Sequence, residues 1–267
     1  WRVYWKGWLE LRPNVWSDFI EDLNTIEESK SYHQAINGQS KIECFNDWVK
    51  EIKEYNYLHN HTRMWFASIW IFSLGLPWQK GAEFFMKHLL DGDAASNTLS
   101  WRWVAGLQTK GKHYLAQSWN ISKFLNKKYK NIELKESALS LIDNREYKIS
   151  PIEISKSNHR NDYLIVFEND LSEENLKIKG YKKIYFILLD NNNRSLKLDS
   201  KVLNYKKNIM VEKLNKTNDN CELINGNNVD VLLENLKNFD IIYPSIGENM
   251  SFLKKIAKEK KLITNFI

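Results

Sequence analysis

Cysteine is nearly absent: two residues in 267, Cys44 and Cys221, far apart in the chain. That count supports neither a disulfide framework nor a thiolate-held metal or iron–sulfur cluster, and no metal site is expected. Long apolar runs are also missing. The nearest approach, residues 65–76, is too short and too aromatic to span a bilayer. No secretory signal pattern stands at the N-terminus. These absences fit a reducing, cytoplasmic setting without a membrane partner. No G-x-G-x-x-G turn and no P-loop occurs, so neither glycine-rich phosphate loop is available.

Two further absences are local. No tryptophan follows Trp119, although the chain has 11. Asp and Glu are missing from residues 102–130, which hold Arg102, Lys110, Lys112, Lys123, Lys127, Lys128 and Lys130. With a formal net charge of +6, this stretch reads as either a solvated face or a phosphate-facing rim.

The length fits one large domain or two modest ones. The loss of tryptophan, with Asn, Lys and Ile dominating afterwards, marks a boundary. We expect a helical domain over 1–142, a linker over 143–160 carrying Pro151 and several Ser and Asn, and a second domain over 161–267. Trp1, Trp5 and Trp8 share one helical face, and Pro13 with Asn14 ends that helix. Residues 15–40 read as a helix and a loop. Residues 44–55 read as a helix with Phe45, Trp48 and Ile52 on one side, and 59–72 as another. Gly75-Leu76-Pro77-Trp78 turns into a further helix. The spacing then predicts helices over 101–107, 113–124 and 134–143.

After the linker the period changes. Short β-rich runs at 163–167, 184–189, 209–211, 240–243 and 262–263 alternate with helical stretches at 172–179, 196–205, 229–237 and 248–260. Such alternation predicts a small parallel α/β, Rossmann-like sandwich. The fold class is therefore α followed by α/β. Residues 244–248 follow a strand and open a helix, so their amides suit an anion; a plain βα turn is the simpler reading. The chain opens at Trp1 inside an aromatic amphipathic pattern, which reads as a piece of a longer protein.

The stretch that carries chemistry is Asp91-Gly92-Asp93-Ala94-Ala95-Ser96-Asn97, followed by Trp101-Arg102-Trp103 and preceded by His59-Asn60-His61-Thr62-Arg63-Met64-Trp65. Carboxylates two residues apart on a helix turn away from each other, so Asp91 and Asp93 do not make a hydrolytic dyad. Asn60 and Arg63 are about one turn apart and can point at one object. In order, spacing and residue type this region resembles the flavin-binding helical domain of the photolyase/cryptochrome family, from Trp1 to about residue 124.

The resemblance implies FAD as cofactor, held by Asn60, Arg63, Asp91, Gly92, Asp93 and Asn97. Asp91 would pair with Arg63, Asp93 would accept hydrogen bonds from flavin or ribose groups, and Asn97 would face flavin N5. Trp101 and Trp78 match two members of the family's electron-relaying tryptophan chain; a distal, surface member has no counterpart near residues 25–30. Trp1, Met64 and Trp103 match residues that pack on damaged bases, and Arg2, His61, Lys110, Lys112 and Lys123 would hold DNA. Two positions depart from the family pattern: Val3 stands where an acid is usual, and His61 where Arg is common.

Three functions follow from this reading. The first is light-driven, flavin-dependent repair of pyrimidine dimers in damaged DNA, a lyase activity. The second is a cryptochrome-like blue-light receptor that keeps FAD without repair. The third is an interaction protein with a decayed flavin site. An α/β half placed after the helical one is unusual for the family. An antenna chromophore, a partner, or no ligand are all open for it.

Overall fold

The computed structural model describes residues 2–125, 128–129, 131–152, 161–169, 171, 180–217, 220–226, 228–236, 238–260 and 265–267. The chain divides into two compact units, one formed by residues 1–5 with 12–148, the other by 6–11 with 149–267. The helix expected over 172–179 and the strand expected over 262–263 lie outside the described residues.

The first unit is helical. Only the first residues of α1 (Arg2–Glu10) belong to it, the rest being counted with the second unit; then come α2 (Asn14–Thr25), α3 (Lys30–Ile36), α4 (Glu43–Tyr55), α5 (Asn60–Ser68), a π-helical turn (Ile69–Ser73), α6 (Trp78–His88), α7 (Ala94–Ala105) and α8 (Ser118–Phe124). The polar stretch 15–40 thus holds parts of two helices rather than one helix and a loop. Its second helix starts where Ser29 accepts the Tyr32 amide, an N-cap. The helix expected over 113–124 is confined to its last seven residues.

Aromatic rings fill the centre of this unit. Phe66 lies 4.4 Å from Phe45, 4.9 Å from Phe85 and 6.0 Å from Trp70, ring centroid to centroid. Trp70 and Trp101 meet edge-on at 6.2 Å, a favourable orientation for two quadrupoles. The π-helical turn delivers Trp70 to that place, with the Leu74 amide reaching back to the Ile69 carbonyl.

The helix expected over 134–143 does not form. Instead, residues 132–148 run as an irregular strap across the unit. The Leu141 amide donates to the Ala105 carbonyl, and Ser140 covers Gly106, where a Cβ would come within 2.5 Å of the serine hydroxyl. Gly106 has φ +81°, the left-handed C-cap that glycine favours. Side-chain bonds to α2 and α7 hold the strap. Asp143 accepts from Arg102 at 3.2 Å, and Arg145 grips Asp143 and Asp22 at 2.9 Å each. Burial raises the Asp143 carboxyl. Hydrogen bonds from Arg145 and Arg102 outweigh that and hold its pKa at about 2.

The second unit is a five-stranded parallel sheet in the order β3-β2-β1-β4-β5. The strands are β1 (Tyr163–Phe167), β2 (Lys183–Leu188), β3 (Cys221–Asn225), β4 (Asp240–Ile241) and β5 (Asn265–Phe266). Alternate residues of β1 and β2 serve opposite faces. Ile165, Phe167, Tyr185 and Ile187 join one core cluster, while Leu164, Val166, Ile184, Phe186 and Leu188 join the other. This is the continuous apolar strand of a sheet covered on both sides. The helices are α9 (Ser200–Lys216), α10 (Asn228–Asn235) and α11 (Glu248–Lys260).

The β-rich run at 209–211 is corrected: it lies inside α9, where Val202, Met210 and Lys213 form the buried helical face. The strand pairing with β2 is β3, a half-exposed edge strand whose Cys-Glu-Leu-Ile-Asn pattern is too polar to stand out. Glu168 and Arg194 form a buried pair at 2.6 Å, each side chain only 4% exposed. The turn at 244–248 places Glu248 so that its carboxylate accepts the Ser195 and Leu196 amides, a structural role.

Candidate functional site

The connection between α6 and α7 builds the site. Asn56 ends α4 in the left-handed region. Its side chain donates to the His88 carbonyl at 2.7 Å, and its own carbonyl accepts the Leu90 amide. The end of α4 is thereby tied to the end of α6, which fixes where the Asp91-Gly92-Asp93 turn stands. Asp91 is on this turn rather than on a helix. Asp93 is the N-cap of α7 and accepts the Ser96 amide at 2.7 Å.

Arg63 reaches the turn from α5. Its Nη1 lies 3.0 Å from Asp91 Oδ2, and its Nε donates to the Leu58 carbonyl at 2.7 Å. The guanidinium also sits 5.3 Å from the Tyr57 ring centroid. The Asp91 side chain is 49% exposed, so the pair positions the turn more than it stabilises the fold. Asn97, one turn into α7, donates from Nδ2 to the Ala82 carbonyl at 2.8 Å, which sets the plane of its amide. Gly92 is tightly placed: a Cβ there would stand 3.1 Å from the Leu89 carbonyl oxygen.

Trp101 is 2% exposed and packs against Phe66, Trp70 and Phe85. Gly81 makes room for it, since a Cβ at that position would overlap the indole at 2.2 Å. Trp78 is also buried; it stacks on Phe19 at 5.4 Å, and the Arg102 guanidinium lies 5.9 Å from its centroid. The ring brought to Trp101 is Trp70, a residue that periodicity alone assigns to plain packing.

Of the residues expected at DNA, Trp1 and the side chain of Arg2 lie outside what is described. Asn60 and His61 are exposed at the start of α5, and Met64 is half-buried. Trp103 is half-buried and stacks on Tyr114 at 5.8 Å. Lys110, Lys112 and Lys123 are exposed. Arg102 is withdrawn from the basic rim: it is buried and spent on Asp143. Lys128 is spent on Asp47 at 3.3 Å. Among the described residues no group of three His, Cys, Asp or Glu could hold a metal, and no helix is long and apolar enough to cross a membrane.

Comparison with known proteins converges on the same stretch. The family model of the FAD binding domain of DNA photolyase matches residues 1–134. The chain is similar to the deoxyribodipyrimidine photo-lyase of Buchnera aphidicola subsp. Baizongia pistaciae, 30% identical over 122 residues, which cover 43% of this chain and 25% of that protein. The photo-lyase of Agrobacterium fabrum is 31% identical over 97 residues, covering 36% and 20%. That of Streptomyces griseus is 30% identical over 114 residues, covering 41% and 24%. The matched stretch spans a quarter or less of the length of these relatives. No solved structure matches.

Proposed function

Because the chain belongs, through residues 1–134, to the family of the FAD binding domain of DNA photolyase, we propose that its helical unit holds FAD and works on pyrimidine dimers in damaged DNA. The observation that carries the reading is the Arg63–Asp91 pair set beside the Asp93 cap of α7.

The residues fit the cofactor. Ser96 Oγ is buried without a hydrogen-bond partner among the described residues, two positions from the Asp91-Gly92-Asp93 turn's neighbour Ala94. A buried, unsatisfied hydroxyl is costly unless a ligand completes it. Gly92 keeps the turn free of a side chain, and Asp93 offers carboxylate oxygen for hydroxyl or amide donors. Asn60, Arg63, Asp91, Gly92, Asp93 and Asn97 would hold FAD, with the Asn97 amide held in one plane by Ala82. When bound, reduced FAD would supply the light-driven electron chemistry for splitting a dimer.

The chain's own residues do the rest. Trp101 and Trp78 offer oxidisable indoles in a dry core, suited to relaying an electron inward. Trp1, Met64 and Trp103 provide apolar walls for bases taken out of the duplex, photolyases being among the enzymes that work by base flipping. Stacking on such walls contributes roughly 1–3 kcal/mol per base. Arg2, His61, Lys110, Lys112 and Lys123 attract the phosphates. The second reading, a blue-light receptor that keeps FAD without repair, draws on His61 and Val3, where the family usually has charged groups.

The test is equilibrium binding to dimer-containing and intact DNA with the flavin fully reduced. Preference for the dimer, reduced by about 1–3 kcal/mol in Trp103→Ala, is the expected result. Equal affinity for both DNAs overturns repair in favour of the receptor.

A further inference from the structure

Three exposed rings on two helices stand in nearly parallel planes. His59 and His61 stack at 5.6 Å and 12°, and His61 stacks on Phe124 at 6.1 Å and 12°. We propose that this ladder is a stacking ledge for an unstacked, undamaged base of a DNA strand. The inference rests on the DNA reading above and adds a binding site to it.

The ladder is held in place. His59 Nδ1 accepts the His61 amide at the start of α5, which sets the first two rings. Beneath them lies Trp65, 2% exposed, in ring contact with both His61 and Phe124. Trp65 Nε1 donates to Asn120 Oδ1 at 3.1 Å and so fastens α8, with Phe124, to α5. Trp65 rests in turn on Trp48, stacked at 5.9 Å.

Such support is unnecessary for a surface phenylalanine. Phe124 is 61% exposed and gains little for the fold by standing there. An exposed ring fixed in orientation suits a flat π-surface, and every base has one. The local charge selects the same partner. Lys123 lies 5.8 Å from the Phe124 centroid, and residues 102–130 contain no acid. On the lesion side, Trp103 stacks on Tyr114.

The experiment uses a fluorescein-labelled, undamaged oligo-dT strand and a dimer-containing duplex as probes. Phe124→Ala should weaken oligo-dT binding about tenfold, the equivalent of one stacked base, without changing the salt slope. Phe124→Trp should restore affinity, and its added fluorescence should be quenched by the strand. If the wild type binds both probes and Phe124→Ala binds oligo-dT equally well, the ledge is wrong and the DNA reading stands. If the wild type binds neither probe, both fall.

Discussion

In the helical unit the largest fully buried side chains are rings, Trp70, Trp101, Phe19, Phe45 and Phe66; the α/β unit also buries Phe167, Phe186 and Phe239, but most of its sheet's core is branched and aliphatic. Rings pack with defined planes and edges, and the small residues among them, such as Gly81 beneath Trp101, leave ring-shaped room. Branched aliphatic chains on alternating strand positions fill both faces of a sheet and leave no such room. Every tryptophan lies in the first 119 residues. The aromatic unit carries the candidate chemistry, and the aliphatic one is built around packing and a few internal charge pairs.

The sharpest way to break this contrast is to remove an internal charge partner. Arg194→Met takes the paired cation from the buried Glu168 carboxylate, leaving it the Asn249 amide and the charge of Lys206, which should cost up to about 3–5 kcal/mol. Hydrogen exchange at β1 and β2 should report the loss, while tryptophan fluorescence, dominated by the helical unit with Trp8 alone in the other, should keep its urea midpoint. A joint shift of both signals would show that the two cores do not unfold separately.

A second, smaller effect belongs to the strap. The Asp143 pKa is depressed from its usual 3.8 to about 2. The stabilisation is complete above pH 3.8 and is lost as the pH falls towards 2. It amounts to about 2 kcal/mol. Urea midpoints followed by tryptophan fluorescence between pH 5 and 2.5 should fall by that amount in the wild type. Asp143→Asn should already lack it at pH 5.

The smallest effect on the fold, and the one that separates fold from function, is at the exposed pair. Asp91→Ala should change stability by no more than about 1 kcal/mol, yet lower the flavin content of the purified protein. Unchanged flavin absorbance would remove Asp91 from the cofactor site.

Much of this was legible before any coordinates. Phe45, Trp48 and Ile52 repeat at helical spacing, and α4 forms there. The apolar run at 163–167 bounded by polar residues is β1. The Arg63–Asp91 pair was an expectation of the family resemblance, and the two side chains meet at 3.0 Å. Other features left no local trace. The strap has no periodicity, because its hold comes from Arg102, Asp22 and Arg145, which lie far apart in sequence. The sheet-edge strand β3 has one face in water and so lacks an apolar run, whereas Ile209-Met210-Val211 has β-like residues but sits on a helix that buries only one side. Trp70 was unreadable as a neighbour of Trp101, because the two stand on elements far apart in sequence that only the tertiary packing brings together.

The π-helical turn, Ile69–Ser73, has a consequence for how the helical unit can change. An α-helix advances each residue by about 100° of azimuth, so one extra residue in a turn resets the heading of everything after it. Arg63 and Met64 upstream and Phe72 near the end of the turn occupy one continuous axis with two independent headings. What sets the second heading is a count of residues, not their identity. A point substitution cannot undo it, whereas deletion of a single residue there would swing Phe72 out of register with His113. The region should therefore tolerate exchanges of side chain far better than any change of length.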